Sequence, residues 1–146
     1  MDRPGWNEYF MKMADLAAKR STCIRRSVGA VLVKDRRVLA TGYNGAPKKL
    51  KHCEETGCLR AEMDVPSGQR HEICRGVHAE QNLIAQAGVH GVKTEGATVY
   101  CTNQPCVICA KLLINSGIAK IYYKNPYQDQ FTEKILDQSN IYYEVL

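Results

Sequence analysis

The alternation of strand-like and helix-like segments is the feature that most restricts how this chain of 146 residues can fold. An apolar period of three to four residues predicts a helix over residues 6–20. The segments that follow are predicted as a hairpin of two strands at 28–33 and 38–42, a helix at 78–86, a strand at 97–102, a helix from after residue 105 to 116, a strand at 118–124, a helix at 129–138 and a strand at 141–146. Strands that alternate with helices predict a three-layer α/β domain with a mixed sheet.

Residues 47–76 interrupt this alternation. Pro47, Gly57, Pro66 and Gly68 break up a run that is rich in lysine, glutamate, cysteine and histidine. A loop of this length without regular structure is uncommon unless it carries a function or is held by something other than a core. The chain is therefore predicted to be one domain over residues 1–146 that contains 47–76 as a Cys/His-rich insert.

Composition excludes several classes of protein. Hydrophobic residues make up 45% and charged residues 24% of the chain, which is typical of a globular domain and not of a disordered one. No apolar run approaches the roughly 20 residues that a membrane-spanning helix needs, and the N-terminus lacks the pattern of a signal peptide. These observations predict a cytoplasmic protein without a membrane partner. The net charge of +5 suits an anionic partner such as a nucleotide and would equally suit nucleic acid.

Seven cysteines are many for such a chain, and their odd number without a secretion signal argues against a disulfide framework. Metal ligation is the better explanation. His78, Cys106 and Cys109 form the kind of three-ligand set that a catalytic zinc uses, with the fourth position left to water. Cys106 and Cys109 lie three residues apart at the start of a predicted helix, so both sulfurs can face one side. The positive end of the helix dipole also favours their thiolate forms.

Glu80 is predicted to act on water rather than to bind the metal. His78 and Glu80 are roughly 200° apart on an ideal helix, so they converge only if both lie in its first turn and face over the helix end. A carboxylate there can take a proton from water that zinc has made acidic. We therefore interpret Glu80 as the proton shuttle of a catalytic site.

Each half of this constellation has a simpler explanation on its own. A lone C-x-x-C motif is usually a structural zinc site or a redox pair. A structural site needs a fourth protein ligand, and a redox pair does not need the segment His78-Ala79-Glu80. The combination of H-x-E with a later P-C-x-x-C is the signature of zinc-dependent nucleobase deaminases.

Beyond these motifs, the chain resembles the deoxycytidylate (dCMP) deaminase family within the cytidine deaminase-like group. The segments that carry the resemblance are SVGAVLV (27–33), TGYNGAP (41–47), GVHAEQNLI (76–84), TNQPCVICAK (102–111) and SGIAKIYY (116–123). The resemblance implies a five-stranded sheet between helices and a zinc-dependent hydrolysis of dCMP to dUMP and ammonia, which feeds thymidylate synthesis. It also implies a hexamer that dCTP activates and dTTP inhibits.

The resemblance further implies which residues contact the nucleotide. Asn44 would hydrogen-bond the sugar, and the backbone of Ala79 and the peptide before Pro105 would contact the base. From the residues alone, Asn44 could equally be a hairpin turn residue, since Asn-Gly is a strong turn signal.

The phosphate site is harder to find because the chain has no glycine-rich phosphate loop, so side chains or a helix end must supply it. Arg25 and Arg26 are the candidates, although a single arginine is more often simply solvated. Tyr127 could stack on the base or line the mouth of the pocket.

A second metal site is predicted around the insert. Its candidate ligands are Cys23, His52, Cys53, Cys58, His71 and Cys74. A structural zinc can order a loop that hydrophobic burial cannot. Some relatives carry a second, non-catalytic zinc, and by that comparison we favour the closed four-ligand set Cys23, Cys53, His71 and Cys74, with Cys58 as the rival for the fourth place. Buried thiols and surface histidines are the alternative.

Three other functions stay open at this point. A deaminase that acts on a base within nucleic acid, such as a tRNA adenosine, would share the zinc core but need a basic surface continuous with the pocket. An enzyme that prefers dCTP would differ in its phosphate-binding side chains, and a non-catalytic zinc module would have no use for Glu80. The GYNG segment (42–45) and the Cys/His-rich insert favour a free nucleotide as substrate and no nucleic-acid partner.

Overall fold

The computed structural model describes residues 2–127 and 129–146, and five strands form one mixed sheet. The strands are β1 (Gly29–Lys34), β2 (Arg37–Tyr43), β3 (Thr98–Asn103), β4 (Lys120–Asn125) and β5 (Tyr142–Val145), and their order in the sheet is β2-β1-β3-β4-β5. β1 pairs antiparallel with both β2 and β3, whereas β3, β4 and β5 are parallel. β1 lies between β2 and β3, and its first five residues are buried, which explains why residues 29–33 are all apolar rather than alternating.

Helices cover both faces of the sheet. They are α1 (Trp6–Ala18), α2 (Cys53–Thr56), α3 (Leu59–Glu62), α4 (Ala79–Val89), α5 (Val107–Asn115) and α6 (Gln130–Ser139). On one face, Phe10 and Ala14 of α1 pack with Val31 of β1. On the other, a larger core joins Leu83 of α4 and Leu113 of α5 to strand and α6 residues. The predicted three-layer α/β/α domain with a mixed sheet of five strands is confirmed.

The helices of this chain are short or amphipathic. None that the structure describes between residues 2 and 127 or 129 and 146 combines the length and apolar character needed to cross a membrane.

Two local predictions need correction. The hairpin between β1 and β2 turns at Asp35 and Arg36, whose φ angles of 51° and 60° are left-handed, so Arg37 already belongs to β2. The insert 47–76 is not wholly irregular either, since it contains α2, α3 and a single 3₁₀ turn at His71–Ile73. These pieces are three or four residues long, too short for a helical period of 3.6 residues to be visible in the sequence.

The topology brings four connecting segments to one end of the sheet, where the strands begin or stop. Because β1 is antiparallel to its neighbours, its beginning lies beside the ends of β2 and β3, as the pairs Gly29–Tyr43 and Ala30–Cys101 show. β4 ends beside β3, with Asn103 opposite Asn125. The residues before β1 and after β2, β3 and β4 therefore meet, at the kind of strand-end crevice where α/β proteins bind ligands.

Gly42 lets α4 pack directly on β2 at this end of the sheet. A Cβ atom at position 42 would lie 2.4 Å from the carbonyl oxygen of Ala79 and 2.7 Å from the backbone nitrogen of Leu83. Both neighbours are backbone atoms and cannot rotate away. The missing side chain at Gly42 thus sets how closely the first turn of α4 approaches the sheet.

We expect Gly42→Ala to push the first turn of α4 outward, to destabilise the fold by about 1–3 kcal/mol through overpacking, and to lower catalytic activity. Gly88→Ala is the matched control, since Gly88 also lies in α4 but a Cβ atom there meets nothing within 4 Å. The control should gain up to about 1 kcal/mol from helix propensity. Denaturant unfolding of both variants measures the difference, and equal stability of the two would contradict this account of the packing.

Candidate active site

Two helix N-termini hold the three predicted zinc ligands together. His78 is the N-cap of α4, and its backbone N–H donates to Oε1 of Gln81 at 2.8 Å, which closes the helix start. Cys106 is the N-cap of α5, and Cys109 lies in the first turn of the same helix. His78 Nδ1 is 3.3 Å from Cys109 Sγ and 3.5 Å from Cys106 Sγ.

This donor set fits a zinc ion. A tetrahedral zinc, about 2.3 Å from sulfur and 2.0–2.1 Å from nitrogen, holds such ligands about 3.5 Å apart. The three donor atoms all lie within 4.8 Å of one another, and in the described part of the chain no fourth His, Cys, Asp or Glu joins them. Three protein ligands are typical of a catalytic zinc, whereas a structural site has four.

The two sulfurs are already polarised for metal binding. A hydrogen bond from the Cys109 thiol lowers the pKa of Cys106 to about 4. The same hydrogen bond, together with burial, raises the pKa of Cys109. The pair therefore carries a thiolate at neutral pH, which is the form that ligates metal.

Glu80 lies beside this set, in the first turn of α4, and only 4% of it is exposed. Burial raises the pKa of its carboxyl group, and the negative charge of Cys106 adds to the effect. A carboxyl group whose pKa is raised towards neutrality can both accept and release a proton during a reaction. The arrangement of His78 and Glu80 around one helix end is the one that the sequence predicts.

A cavity of about 610 Å³ opens over these groups, at the end of the sheet where the four connecting segments meet. Its volume lies within the range of small-molecule sites, about 300–1,000 Å³. The residues predicted as functional that line it are Cys23, Arg25, Arg26, Asn44, Cys53, Cys58, His71, Cys74, His78, Ala79, Glu80, Cys106 and Tyr127. The structure thus brings nearly every predicted site residue to one cavity, with Cys109 just beneath it, wholly buried.

Asn44 is not the hairpin turn residue that its Asn-Gly sequence allows, because the turn lies at Asp35 and Arg36. Its side-chain Oδ1 accepts a hydrogen bond from the Val28 N–H at 2.9 Å, and Nδ2 donates to the Arg26 carbonyl at 3.1 Å. Asn44 therefore fastens the segment before β1 while it lines the cavity. The predicted contact with a sugar stays a prediction.

Tyr127 closes one side of the cavity and is held by its neighbours. Its hydroxyl donates to the carbonyl of Pro105 at 3.2 Å, and its backbone N–H donates to Oε1 of Gln104 at 3.2 Å. The ring is 39% exposed, so it lies at the mouth rather than in the core.

Four cysteines gather at the other side of the cavity. Burial raises the pKa of Cys53, and the charges of Cys23, Cys58 and Cys74 raise it further. Among the described residues, however, no three of these sulfurs lie within 4.8 Å of one another, as the donors of the His78 set do. Three of the four sulfurs accept a backbone N–H at 3.4 Å: Cys23 from Arg25, Cys58 from Ala61 and Cys74 from Gly76.

His71, by contrast, lies against His78. Its ring is edge-on to that of His78, with 4.9 Å between the centroids. Burial lowers the pKa of His71, and the nearby His78 adds to the lowering. His71 thus lies near His78 and Cys106, whereas Cys58 lies near Cys53.

Sequence reasoning missed two buried cavity residues, Arg60 and Gln104, which are 6% and 4% exposed. Gln104 could have been found, because the peptide before Pro105 is already implicated in base contact. Nothing in the sequence distinguishes Arg60 from the other basic residues of the insert.

Comparison with known proteins agrees with this site. Residues 4–125 match the family model of the cytidine and deoxycytidylate deaminase zinc-binding region. The chain is 43% identical over 128 residues to the deoxycytidylate deaminase of Mycobacterium phage D29, covering 84% of this chain and 97% of that protein. It is 41% identical over 140 residues to the deoxycytidylate deaminase of Schizosaccharomyces pombe, covering 95% of this chain but only 43% of the longer relative.

A solved structure extends the comparison to the whole fold. The crystal structure of the dCMP deaminase from cyanophage S-TIM5, in complex with dCMP and dUMP, superposes with a TM-score of 0.80 at 30% identity and with full coverage of both chains. The family model, the relatives and the shared fold confirm the resemblance that the motifs indicated. This chain belongs to the cytidine and deoxycytidylate deaminase family.

Proposed function

We propose that this protein is a zinc-dependent hydrolase that converts dCMP and water to dUMP and ammonia, and so feeds thymidylate synthesis. The observation that carries the proposal is the placement of the buried Glu80 carboxyl group beside the three-donor set of His78, Cys106 and Cys109. A zinc ion held by those three residues would supply a water molecule that is nucleophilic at neutral pH.

Glu80 is the residue that moves protons in this proposal. Its carboxylate accepts a proton from the water that attacks C4 of the cytosine ring and passes it to N3. It then transfers the second proton of that water to the amino group, which leaves as ammonia. The raised pKa of Glu80 suits both halves of this cycle, because the group must hold each proton briefly and then release it.

Several observations support a free nucleotide as the substrate. The cavity is large enough for one, and three arginines, Arg25, Arg26 and Arg60, line it. The names of the two relatives and the dCMP and dUMP of the S-TIM5 complex point to the same substrate. Asn44 for the sugar, the backbone of Ala79 for the base, Arg25 and Arg26 for the phosphate and Tyr127 at the mouth are the contacts we propose.

An ammonia-release assay of the zinc-loaded protein tests the proposal. The substrates are dCMP, dCTP, CMP, deoxycytidine and a tRNA anticodon stem-loop with an adenosine at the target position. We expect dCMP to be turned over with the highest kcat/KM and the RNA not at all. Preference for dCTP would correct the substrate, and activity on the RNA alone would overturn the proposal.

We also propose a second, structural zinc in the insert, with Cys58 rather than His71 as its fourth ligand beside Cys23, Cys53 and Cys74. Among the described residues, no three of these donors lie within 4.8 Å of one another, so this site would need the sulfurs to close around the ion. The charge of Cys58, like those of Cys23 and Cys74, raises the pKa of Cys53, whereas His71 has no such effect on that thiol. Although burial raises the pKa of Cys58, hydrogen bonds from two backbone N–H groups and from Arg25 outweigh it and lower that pKa. A stabilised thiolate within a cysteine cluster is a favourable zinc ligand.

Metal analysis of two variants tests this ligand set. Wild-type protein should hold close to two zinc ions per chain. Cys58→Ser should hold close to one and unfold at a temperature lower by roughly 5–10 °C, as expected for a loss of a few kcal/mol. His71→Ala should keep both ions. A stoichiometry near one zinc ion per chain in fully active wild-type protein would rule out the second site. Loss of a zinc ion in His71→Ala but not in Cys58→Ser would show that His71, and not Cys58, is the fourth ligand.

The family resemblance carries two further predictions, a hexameric assembly and activation by dCTP with inhibition by dTTP. The sequence pattern carries a third, a cytoplasmic location. Light scattering of the purified protein and the effect of each triphosphate on dCMP turnover measure the first two.

A further inference from the structure

Buried nitrogen atoms without a hydrogen-bond partner concentrate in the active-site cavity. Among the described residues, four buried side-chain atoms lack a partner: Arg25 Nη1, Arg60 Nε, His71 Nδ1 and Gln104 Nε2. All four residues line the cavity. Buried polar groups are nearly always hydrogen-bonded in folded proteins. Three of these atoms, the two guanidinium nitrogens and the amide nitrogen, can only donate, so they fit a ligand that is rich in hydrogen-bond acceptors.

Arg60 is the most unusual of the four residues because it is a charged group that is 6% exposed. It lies on the short helix α3 of the insert, and its Nη1 donates to the Gln69 carbonyl at 2.9 Å. Within residues 2–127 and 129–146, no carboxylate oxygen lies within 4.0 Å of its guanidinium group. Arginines are rarely buried to this degree unless they are paired with an anion.

The acidic side chains of the cavity do not supply that anion. Glu80 lies beside the three-donor set, in the first turn of α4, and is assigned to proton transfer. Asp129 caps helix α6, where its Oδ1 accepts from the backbone of Phe131 and Thr132 and its Oδ2 accepts from the Thr132 hydroxyl. No carboxylate in the described part of the cavity therefore matches the charge of Arg60, which leaves room for a bound anion as its partner.

We propose that Arg60 binds the 5′-phosphate of the nucleotide and makes the enzyme select nucleotides over nucleosides. This inference rests on the proposed function and adds a specificity residue to it. A guanidinium group presents paired N–H donors that match the oxygens of a phosphate group. Arg25, whose Nη1 is also buried without a partner, reaches the same cavity from the segment before β1. The alternative is that Arg60 only holds the loop that contains Gln69.

Arg60→Met separates these two roles, because methionine keeps much of the apolar stem and removes the charge. We expect kcat/KM for dCMP to fall by about 100-fold, as for the loss of charged hydrogen bonds, while kcat/KM for deoxycytidine changes by less than about threefold. Arg75→Met is the matched control. Arg75 also fastens the insert, by donating from Nη1 to Thr56 Oγ1 at 3.0 Å and to the Gly57 carbonyl at 2.8 Å, but it does not line the cavity.

The control should leave the ratio of the two kcat/KM values unchanged. An equal loss on dCMP and deoxycytidine in Arg60→Met, or a loss of zinc from it, would show a structural role and overturn the proposal. If Arg60→Met does not fold, Arg60→Lys replaces it. That variant keeps the charge without the paired geometry and should show a smaller loss that is still confined to dCMP.

Binding of inorganic phosphate keeps this inference separable from the proposed function. Calorimetric titration of the zinc-loaded protein with inorganic phosphate measures the affinity of the anion site and requires no turnover. We expect the affinity to fall at least about tenfold in Arg60→Met and to stay unchanged in Arg75→Met. Unchanged phosphate affinity in Arg60→Met would overturn the inference even if dCMP is deaminated. Weakened phosphate binding in a protein that deaminates no nucleotide would sink the proposed function instead.

Discussion

Glu80→Gln is expected to lower kcat for dCMP by about 10³- to 10⁴-fold, close to complete loss of activity, while zinc content stays near that of the wild type. The size of this fall in kcat follows from the contribution of general acid–base catalysis, which is typically 10²- to 10⁴-fold. Glutamine has nearly the same shape as glutamate but cannot accept and return a proton. Since Glu80 does not belong to the three-donor set, its replacement should leave the metal in place.

Metal analysis and steady-state kinetics on the same preparation measure this prediction. Glu133→Gln is the control, because Glu133 is an exposed carboxylate in the first turn of α6 and carries the same chemical change at another helix start. It should keep full activity. Activity of Glu80→Gln near the wild-type value would show that another group transfers the protons, and loss of zinc in that variant would show that Glu80 supports the metal site.

Cys106→Ser is expected to remove the catalytic zinc and, with it, the activity. A serine hydroxyl is a much poorer zinc ligand than the thiolate that Cys106 forms with its pKa of about 4. The loss of zinc affinity should exceed the roughly 10- to 100-fold that follows the loss of an outer-shell partner. Turnover of dCMP should fall in proportion to the zinc that is lost.

Zinc per chain, measured after dialysis against a weak chelator, checks this second prediction. Cys101→Ser is the matched control, since Cys101 is a wholly buried cysteine on β3 that lies outside the donor set. It should retain the zinc content of the wild type. Retention of the full zinc content by Cys106→Ser would contradict the assignment of Cys106 as a ligand.

Local patterns were sufficient to predict most of the fold. The helix at 6–20, the hairpin at 28–42 and the later alternation correspond to α1, β1 with β2, and the elements from α4 to β5, with ends that differ by no more than three residues. Such patterns succeed because the periods of helices and strands depend on near neighbours in the chain. The insert resisted prediction because its helices of four residues, α2 and α3, are shorter than any pattern that could reveal them.

The sequence by itself determined the core of the candidate site. The spacing of His78 and Glu80, and of Cys106 and Cys109, specifies how the side chains lie around two helix starts, and Pro105 marks one of those starts. This local geometry needs no knowledge of the rest of the chain. For that reason each helix start presents its side chains as the motifs predict. The approach of the two helix starts, which completes the donor set, is a tertiary contact.

Only the tertiary structure decided what surrounds that core. It placed the hairpin turn at Asp35 and Arg36 and so removed that role from Asn44, and it grouped Cys58 with Cys53 while His71 lies against His78. It also buried Arg60 in the cavity wall without a carboxylate partner among the described residues. The physical reason is that burial, counter-charge and ligand grouping depend on contacts between segments far apart in the chain, and a sequence pattern records only the neighbours along it.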